Sequence, residues 1–238
     1  MVRSVVSGLL VLTYLGVVGA ADVHESAEAL ATRGDERAAR GDIQSAVDDY
    51  ANAIKKDRRC EKAYLGRGLL RARFGQFDAA IEDYNRLIQL KPRMREALIA
   101  RGLAHQNKDD YAKAIADFTK AIDLAKDDPS GYDTRANARF LSGELEGALA
   151  DCRQALKLDP RNVDALCMSA LAFERKRNFA AAFDACDSAI AIDPNYSFGY
   201  ALRGAQRLSM YDVDAAIRDE NRAIELSPSN SYAFAVRG

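Results

Sequence analysis

"AYLGRGLLRARFGQFDAAIEDYNRLIQLKP", residues Ala63 to Pro92, contains an Arg-Gly pair, Arg67-Gly68, that returns as Arg101-Gly102. Following it through the chain gives Arg33, Arg67, Arg101, Arg135, Arg203 and Arg237, spaced by 34 residues or a multiple of 34. Gly34, Gly68, Gly102, Gly204 and Gly238 follow those arginines, and Ala136 and Ala170 fill the same phase. Another small residue comes 12 positions later, at Ala46, Ala80, Ala114, Ala148, Ala182 and Ala216. Two helices approach closely only where side chains are short. The spacing therefore predicts an antiparallel helix pair that crosses at these small residues in every unit.

Counting each unit from Ala27, Glu61, Arg95, Pro129, Val163 and Ser197, positions 4, 8, 17, 20, 21, 24, 27, 28 and 30 are mostly apolar or small. That is the i, i+3, i+4 pattern of two amphipathic helices per unit. Between them stand "RGDI", "FGQF", "KDDY", "SGEL", "KRNF" and "MYDV", each with a Gly, Asp or Asn to supply backbone freedom or an N-cap. Pro92, Pro160, Pro194 and Pro228 share one phase, where a residue lacking N–H stops the second helix, while Pro129 suits the first turn of the next. The units run 27–60, 61–94, 95–128, 129–162, 163–196 and 197–230, with a partial seventh at 231–238.

These phases resemble the tetratricopeptide repeat family, whose 34-residue unit is a helix-turn-helix with small, aromatic and Pro positions in this order. The resemblance runs from Ala27 to Gly238 and implies an all-α fold, a right-handed α-solenoid of about six repeats plus the partial seventh. Two departures stand out. The chain has no Trp, so position 4 carries Leu30, Tyr64, Leu98, Tyr132, Leu166, Tyr200 and Phe234, and position 7, often Leu in the family, is Arg.

Within the chain, position 7 varies together with position 23. Asp49, Asp83, Asp117, Asp151 and Asp219 occupy position 23, and the one unit with Ala185 there carries Ser169 in place of the arginine. The same unit has Phe173 at position 11, against Arg37, Arg71, His105, Arg139 and Arg207 elsewhere. Stranding one member of a partly buried ion pair costs roughly 3–5 kcal/mol, whereas replacing both members costs little, so the pairs Arg33–Asp49, Arg67–Asp83, Arg101–Asp117, Arg135–Asp151 and Arg203–Asp219 read as a structural seam. Two other readings compete: arginine stems laid over the core, or a ladder that binds anions.

The charges of the chain sum to −1, which gives no global field toward nucleic acid or anionic membrane. "MVRS" followed by the apolar run Val5–Ala20 and the small-residue pattern Val18-Gly19-Ala20 predicts an export signal over 1–20, a linker over 21–26, and a periplasmic or secreted, bacterial-type protein. The competing reading is an uncleaved anchor, but the run falls short of the ~20 apolar residues of a membrane span.

Catalytic candidates are few. His24 and His105 are the only histidines, and no P-loop, dinucleotide fingerprint, HExxH or Cys-x-x-Cys zinc pattern occurs, so no cofactor, metal or enzymatic activity is expected. Cys152 and Cys186 sit at position 24, where Tyr50, Tyr84 and Phe118 stand elsewhere, and read as small core residues; Cys60 lies between units. In the helix-pair stack, Cys167 neighbours both Cys152 and Cys186, which leaves a disulfide to either one open.

The resemblance implies a concave wall built from positions 2, 5, 9, 12 and 13 of the first helices, where such arrays hold a peptide segment of a partner protein. Here the wall carries Leu65, Leu69, Ile99, Leu103, Phe140, Leu141 and Leu171, with polar entries Arg73, Gln106, Asn107, Asp133, Asn137 and Arg175. The family's carboxylate clamp requires Lys at position 5 with Asn at position 9, and only Asn137 matches it. The expected function is a non-catalytic scaffold binding a hydrophobic or amphipathic peptide. The alternatives are the repeat portion of a larger enzyme, or a self-assembling element that associates through the C-terminal edge "SYAFAVRG".

Overall fold

A computed structural model describes residues 25–228. The expected export signal over 1–20, most of the expected linker and the expected partial seventh unit lie outside the described residues. The described chain forms twelve helices and no strand: α1 (Ala27–Ala39), α2 (Ile43–Lys56), α3 (Glu61–Arg73), α4 (Phe77–Leu90), α5 (Arg95–Gln106), α6 (Tyr111–Leu124), α7 (Pro129–Ser142), α8 (Leu145–Leu158), α9 (Val163–Arg175), α10 (Phe179–Ile192), α11 (Ser197–Ser209) and α12 (Val213–Leu226). Each odd-numbered helix begins at the first position of its unit and packs antiparallel on the even-numbered helix that follows. The fold is an all-α helical repeat.

One turn geometry recurs in all six hairpins. The N–H of position 16 donates to the carbonyl of position 11, as in Asp42 N to Arg37 O at 2.9 Å and Asp212 N to Arg207 O at 2.9 Å. This six-residue closure requires a left-handed residue at position 15. Gly41, Gly75 and Gly143 supply it without strain, but Asp109, Arg177 and Tyr211 hold φ of 58°, 60° and 63° at the same place. The third, fifth and sixth units therefore lack the turn glycine, and in the last two Asn178 and Asp212 cap the second helix through side-chain oxygens. In the four units that carry the terminal proline, the second helix ends just ahead of it, and Pro129 opens α7.

The crossing of small residues expected from the sequence takes a different form. A Cβ on Gly34, Gly68 or Gly102 would meet not the alanine at position 20 but the ring at position 24, at 2.7 Å from Tyr50 Cε1, 2.5 Å from Tyr84 Cε1 and 2.6 Å from Phe118 Cε1. Position 8 is a socket for the position-24 side chain. Where position 24 shrinks to Cys152 or Cys186, position 8 grows to Ala136 or Ala170, which fills part of the space the ring leaves. The alanines at position 20 line the hairpin beside this socket and are fully buried or nearly so.

Each seam arginine grips its aspartate with two nitrogens. Arg67 donates from Nε to Asp83 Oδ2 at 3.0 Å and from Nη2 to Oδ1 at 2.6 Å, and Arg33, Arg101, Arg135 and Arg203 repeat the geometry on Asp49, Asp117, Asp151 and Asp219. All five carboxylates are buried. Position 11 adds a second cation: Arg71, Arg139 and Arg207 donate to the same aspartates at 2.7–2.8 Å and also to the carbonyls of Ala79, Gly147 and Ala215. The hydrogen bonds from Arg33 hold the Asp49 carboxyl below its usual range. A link that the sequence reading missed joins neighbouring units, since Arg101, Arg135 and Arg203 reach back to Asn85, Thr119 and Asp187 at position 25 of the unit before.

Candidate functional site: the inner face of the array

Successive first helices touch, α1 on α3, α3 on α5, α7 on α9 and α9 on α11, while no comparable contact joins successive second helices among the described residues. The odd-numbered helices therefore take the shorter, inner arc. Residues on their free side form the candidate site, which falls into two stretches.

On α3 and α5, Leu69 and Leu103 hold the same phase of successive repeats and are 51% and 40% exposed. Leu65 and Ile99 sit beside them, half-buried against the ring and alanine layers beneath. Arg73 is exposed; the Gln106 side-chain oxygen is buried without a hydrogen-bond partner among the described residues; and Asn107 donates from its side chain to the Leu103 carbonyl at 2.8 Å, finishing the helix.

Further along, α7, α9 and the start of α11 enclose a cleft of about 380 Å³ that brings together Asp133, Asn137 and Leu171 with Cys167, Met168, Tyr196 and Phe198. Tyr196 meets Phe198 edge to face at 6.4 Å and donates its hydroxyl to Asp164 at 2.7 Å. Asp133 accepts from Asn162 Nδ2 at 2.7 Å, and its other oxygen is buried with no partner among the described residues. Burial raises the Asp133 pKa, with the Asn162 hydrogen bond opposing the shift. The sequence reading missed Tyr196 and Asp164: Tyr196 precedes its helix and lies outside the five wall phases, with a bulky ring at a repeat boundary as the signal that points to it, whereas Asp164 stands at position 2, a wall phase that points to it directly.

One wall assignment needs correction. Phe140 is only 9% exposed and packs with Ala148, Leu149 and Ala172. Arg175 covers it, with its guanidinium 3.9 Å from the ring centre and Nη1 donating to the Phe140 carbonyl at 3.0 Å. Phe140 is thus spent on packing between repeats, while Arg175 lies over its ring and stays exposed on the wall. Leu141, one residue on and 40% exposed, is the apolar side chain that remains free there.

All four cysteines are free and buried; burial pushes the Cys152 thiol up to about 11 and the Cys167 and Cys186 thiols up to about 12, so the packed thiol, not the reactive thiolate, is the stable form. No group of three or more potential metal ligands occurs among the described residues, and none of the described helices is long and apolar enough to cross a membrane.

With this geometry in place, comparison with known proteins gives one family. A tetratricopeptide repeat model matches residues 31–93, 68–129 and 134–197, more than half the chain, and the protein belongs to the tetratricopeptide repeat family. No curated protein sequence matches it. Among solved structures, it is similar to a tetratricopeptide repeat protein from Parabacteroides merdae, at 20% identity and TM-score 0.69 over 88% of this chain and 82% of that one. It is also similar to pilF of Pseudomonas aeruginosa, at 15% identity and TM-score 0.69 over 90% and 97%. A third similar structure is YrrB, described as a tetratricopeptide protein with an unusual peptide-binding site, at 15% identity and TM-score 0.57 over 79% and 97%. At these identities the likeness is one of fold.

Proposed function

We propose that the array is a non-catalytic scaffold that holds a segment of a partner protein along its inner face. Apolar side chains of the segment would rest on Leu69 and Leu103, and one further residue would enter the cleft of Asp133, Asn137 and Leu171. The observation that carries this reading is the exposure of Leu69 and Leu103 at one phase of the inner arc and of Leu141 further along it; each is 40–51% exposed, so burial by a ligand recovers roughly half of the ~1.5–3 kcal/mol of a fully exposed large apolar side chain. The peptide-binding site named for YrrB supports it by analogy of fold. We also propose, from Val5–Ala20 and the Val18-Gly19-Ala20 pattern, that the protein is exported.

Screening the purified chain against a library of amphipathic peptides tests the scaffold reading, with Leu69→Asp/Leu103→Asp and Leu141→Asp as the altered inner faces. Peptides selected by the native chain should lose binding to both variants. Equal binding would remove the inner face as the site. Mass measurement of the mature protein tests export, cleavage after Ala20 being the expected result.

A further inference from the structure

Between neighbouring repeats a surface depression recurs at one phase, walled by positions 18, 21 and 25 of one second helix and by positions 7, 11, 14, 22 and 23 of the next repeat. Between the second and third repeats it is polar: Arg101 and Asp117 pair across it at 2.6 Å, and Asn85 accepts from the second face of the guanidinium at 2.7 Å. Between the fourth and fifth repeats the same frame holds different contents. The lip is unchanged, since Lys176–Glu146 repeats the ion pair Lys108–Asp78. Inside, Ser169, Phe173 and Ala185 replace the Arg, His and Asp, and an apolar cleft of about 450 Å³ opens between α8 and α10.

Ser169 turns its hydroxyl back to the Ala165 carbonyl at 2.8 Å, so the floor of Leu149, Leu156, Leu166 and Phe173 is apolar. Position 25, which at Asn85, Thr119 and Asp187 offers an acceptor to the next repeat's arginine, is here Arg153. Its Nε donates to the Leu149 carbonyl at 3.3 Å, and among the described residues no carboxylate lies within ion-pair distance of it. The remaining rim charge is Asp184 on α10. The seam break has therefore removed an ion pair, left a hole lined by hydrocarbon, and placed a cation at the edge where the polar cleft has Asn85. This cleft shares no residue with the inner-face cleft.

We propose that the seam break is a binding site for a small amphipathic monocarboxylate, its apolar body on Phe173 and Leu166 and its carboxylate on Arg153. The cleft volume falls within the roughly 300–1,000 Å³ of small-molecule sites. A guanidinium matches a carboxylate in a fork geometry that water replaces poorly. Asp184 at the rim selects against a second anionic group.

Calorimetric titration of the intact chain with octanoate, and separately with octanol, tests the site. Octanoate should bind saturably and octanol about tenfold more weakly, the difference made by one charge-assisted contact. Arg153→Gln should weaken octanoate about tenfold and leave octanol unchanged. The variant Arg153→Asn/Ser169→Arg/Ala185→Asp, which rebuilds the seam of the third repeat, should bind neither, with circular dichroism reporting that it remains helical. No saturable octanoate binding, equal affinity for octanoate and octanol, or undiminished binding to the helical rebuilt variant would each overturn the proposal. Should the rebuilt variant fail to fold, the Arg153→Gln comparison decides, and unchanged octanoate affinity there is the overturning result.

Discussion

At the scale of single residues, the chain carries comparisons within itself. Asp83 accepts from both Arg67 and Arg71, so Asp83→Ala strands two partly buried guanidinium groups and is expected to cost roughly 3–5 kcal/mol in urea unfolding. Copying the fifth repeat, with Arg67→Ser, Arg71→Phe and Asp83→Ala together, should recover most of that loss; equal losses would show that the ion pairs do not act as a unit. The position-8 socket makes a second comparison. Gly68→Ala drives a methyl into the Tyr84 ring and should destabilise by about 1–3 kcal/mol, less the ~1 kcal/mol gained in helix propensity. Adding Tyr84→Cys rebuilds the natural Ala136–Cys152 pair, so the coupling in a double-mutant cycle should be favourable. In the sixth repeat the socket Gly204 faces Glu220, fully buried with neither carboxylate oxygen partnered among the described residues. Burial, aided by the neighbouring Asp219 charge, pushes Glu220 up to about 7 from 4.5. The folded state thus keeps a proton that the unfolded chain has released, so this group makes stability fall as pH rises from about 4.5 through 7. Melting temperatures of Glu220→Gln should equal or exceed those of the native chain, with the gap widening from about pH 5 to about pH 8.

At the scale of elements, the hairpin turn shows what local sequence encodes and where it stops. The helix limits were legible because proline, capping residues and the 3.6-residue period each act within a few residues of where they sit. The shared left-handed position was not legible in the last two repeats, since Arg177 and Tyr211 carry no sign of that conformation; the hairpin's packing imposes it. A non-glycine residue pays about 1–2 kcal/mol there. Tyr211 is 91% exposed, so little packing is lost when it is replaced. Tyr211→Gly should therefore raise the melting temperature measured by circular dichroism, while Gly143→Ala at the equivalent turn, with φ of 88°, should lower it. If both changes lower stability, the turn is not the source of strain. The same limit applies to the wall: Phe140 has the right phase for the inner face, but Arg175, in the next repeat, covers it.

At the scale of the whole molecule, a repeat array is stabilised by contacts within units and between neighbours, which is why a one-dimensional sequence pattern specified the architecture. The clefts escaped that pattern because each depends on how two units sit side by side. The same logic makes the array a chain of joints of unequal strength. At most joints from the third repeat on, a seam arginine ties its unit to position 25 of the one before, but Ser169 leaves the joint between the fourth and fifth repeats without that tie. Buried thiols stand on both sides of it, Cys152 on α8 and Cys167 and Cys186 on α9 and α10, while Cys60 reports the joint of the first two repeats. With their pKa values raised, these thiols react with a disulfide reagent near neutral pH only after local opening. In native buffer, Cys152 should therefore be labelled faster than global unfolding allows, and the variant Arg153→Asn/Ser169→Arg/Ala185→Asp should slow that labelling by tying the joint. A single rate for all four cysteines, matching the rate of global unfolding and unmoved by the added tie, would mean that the array opens as one cooperative block and that the missing arginine does not weaken it.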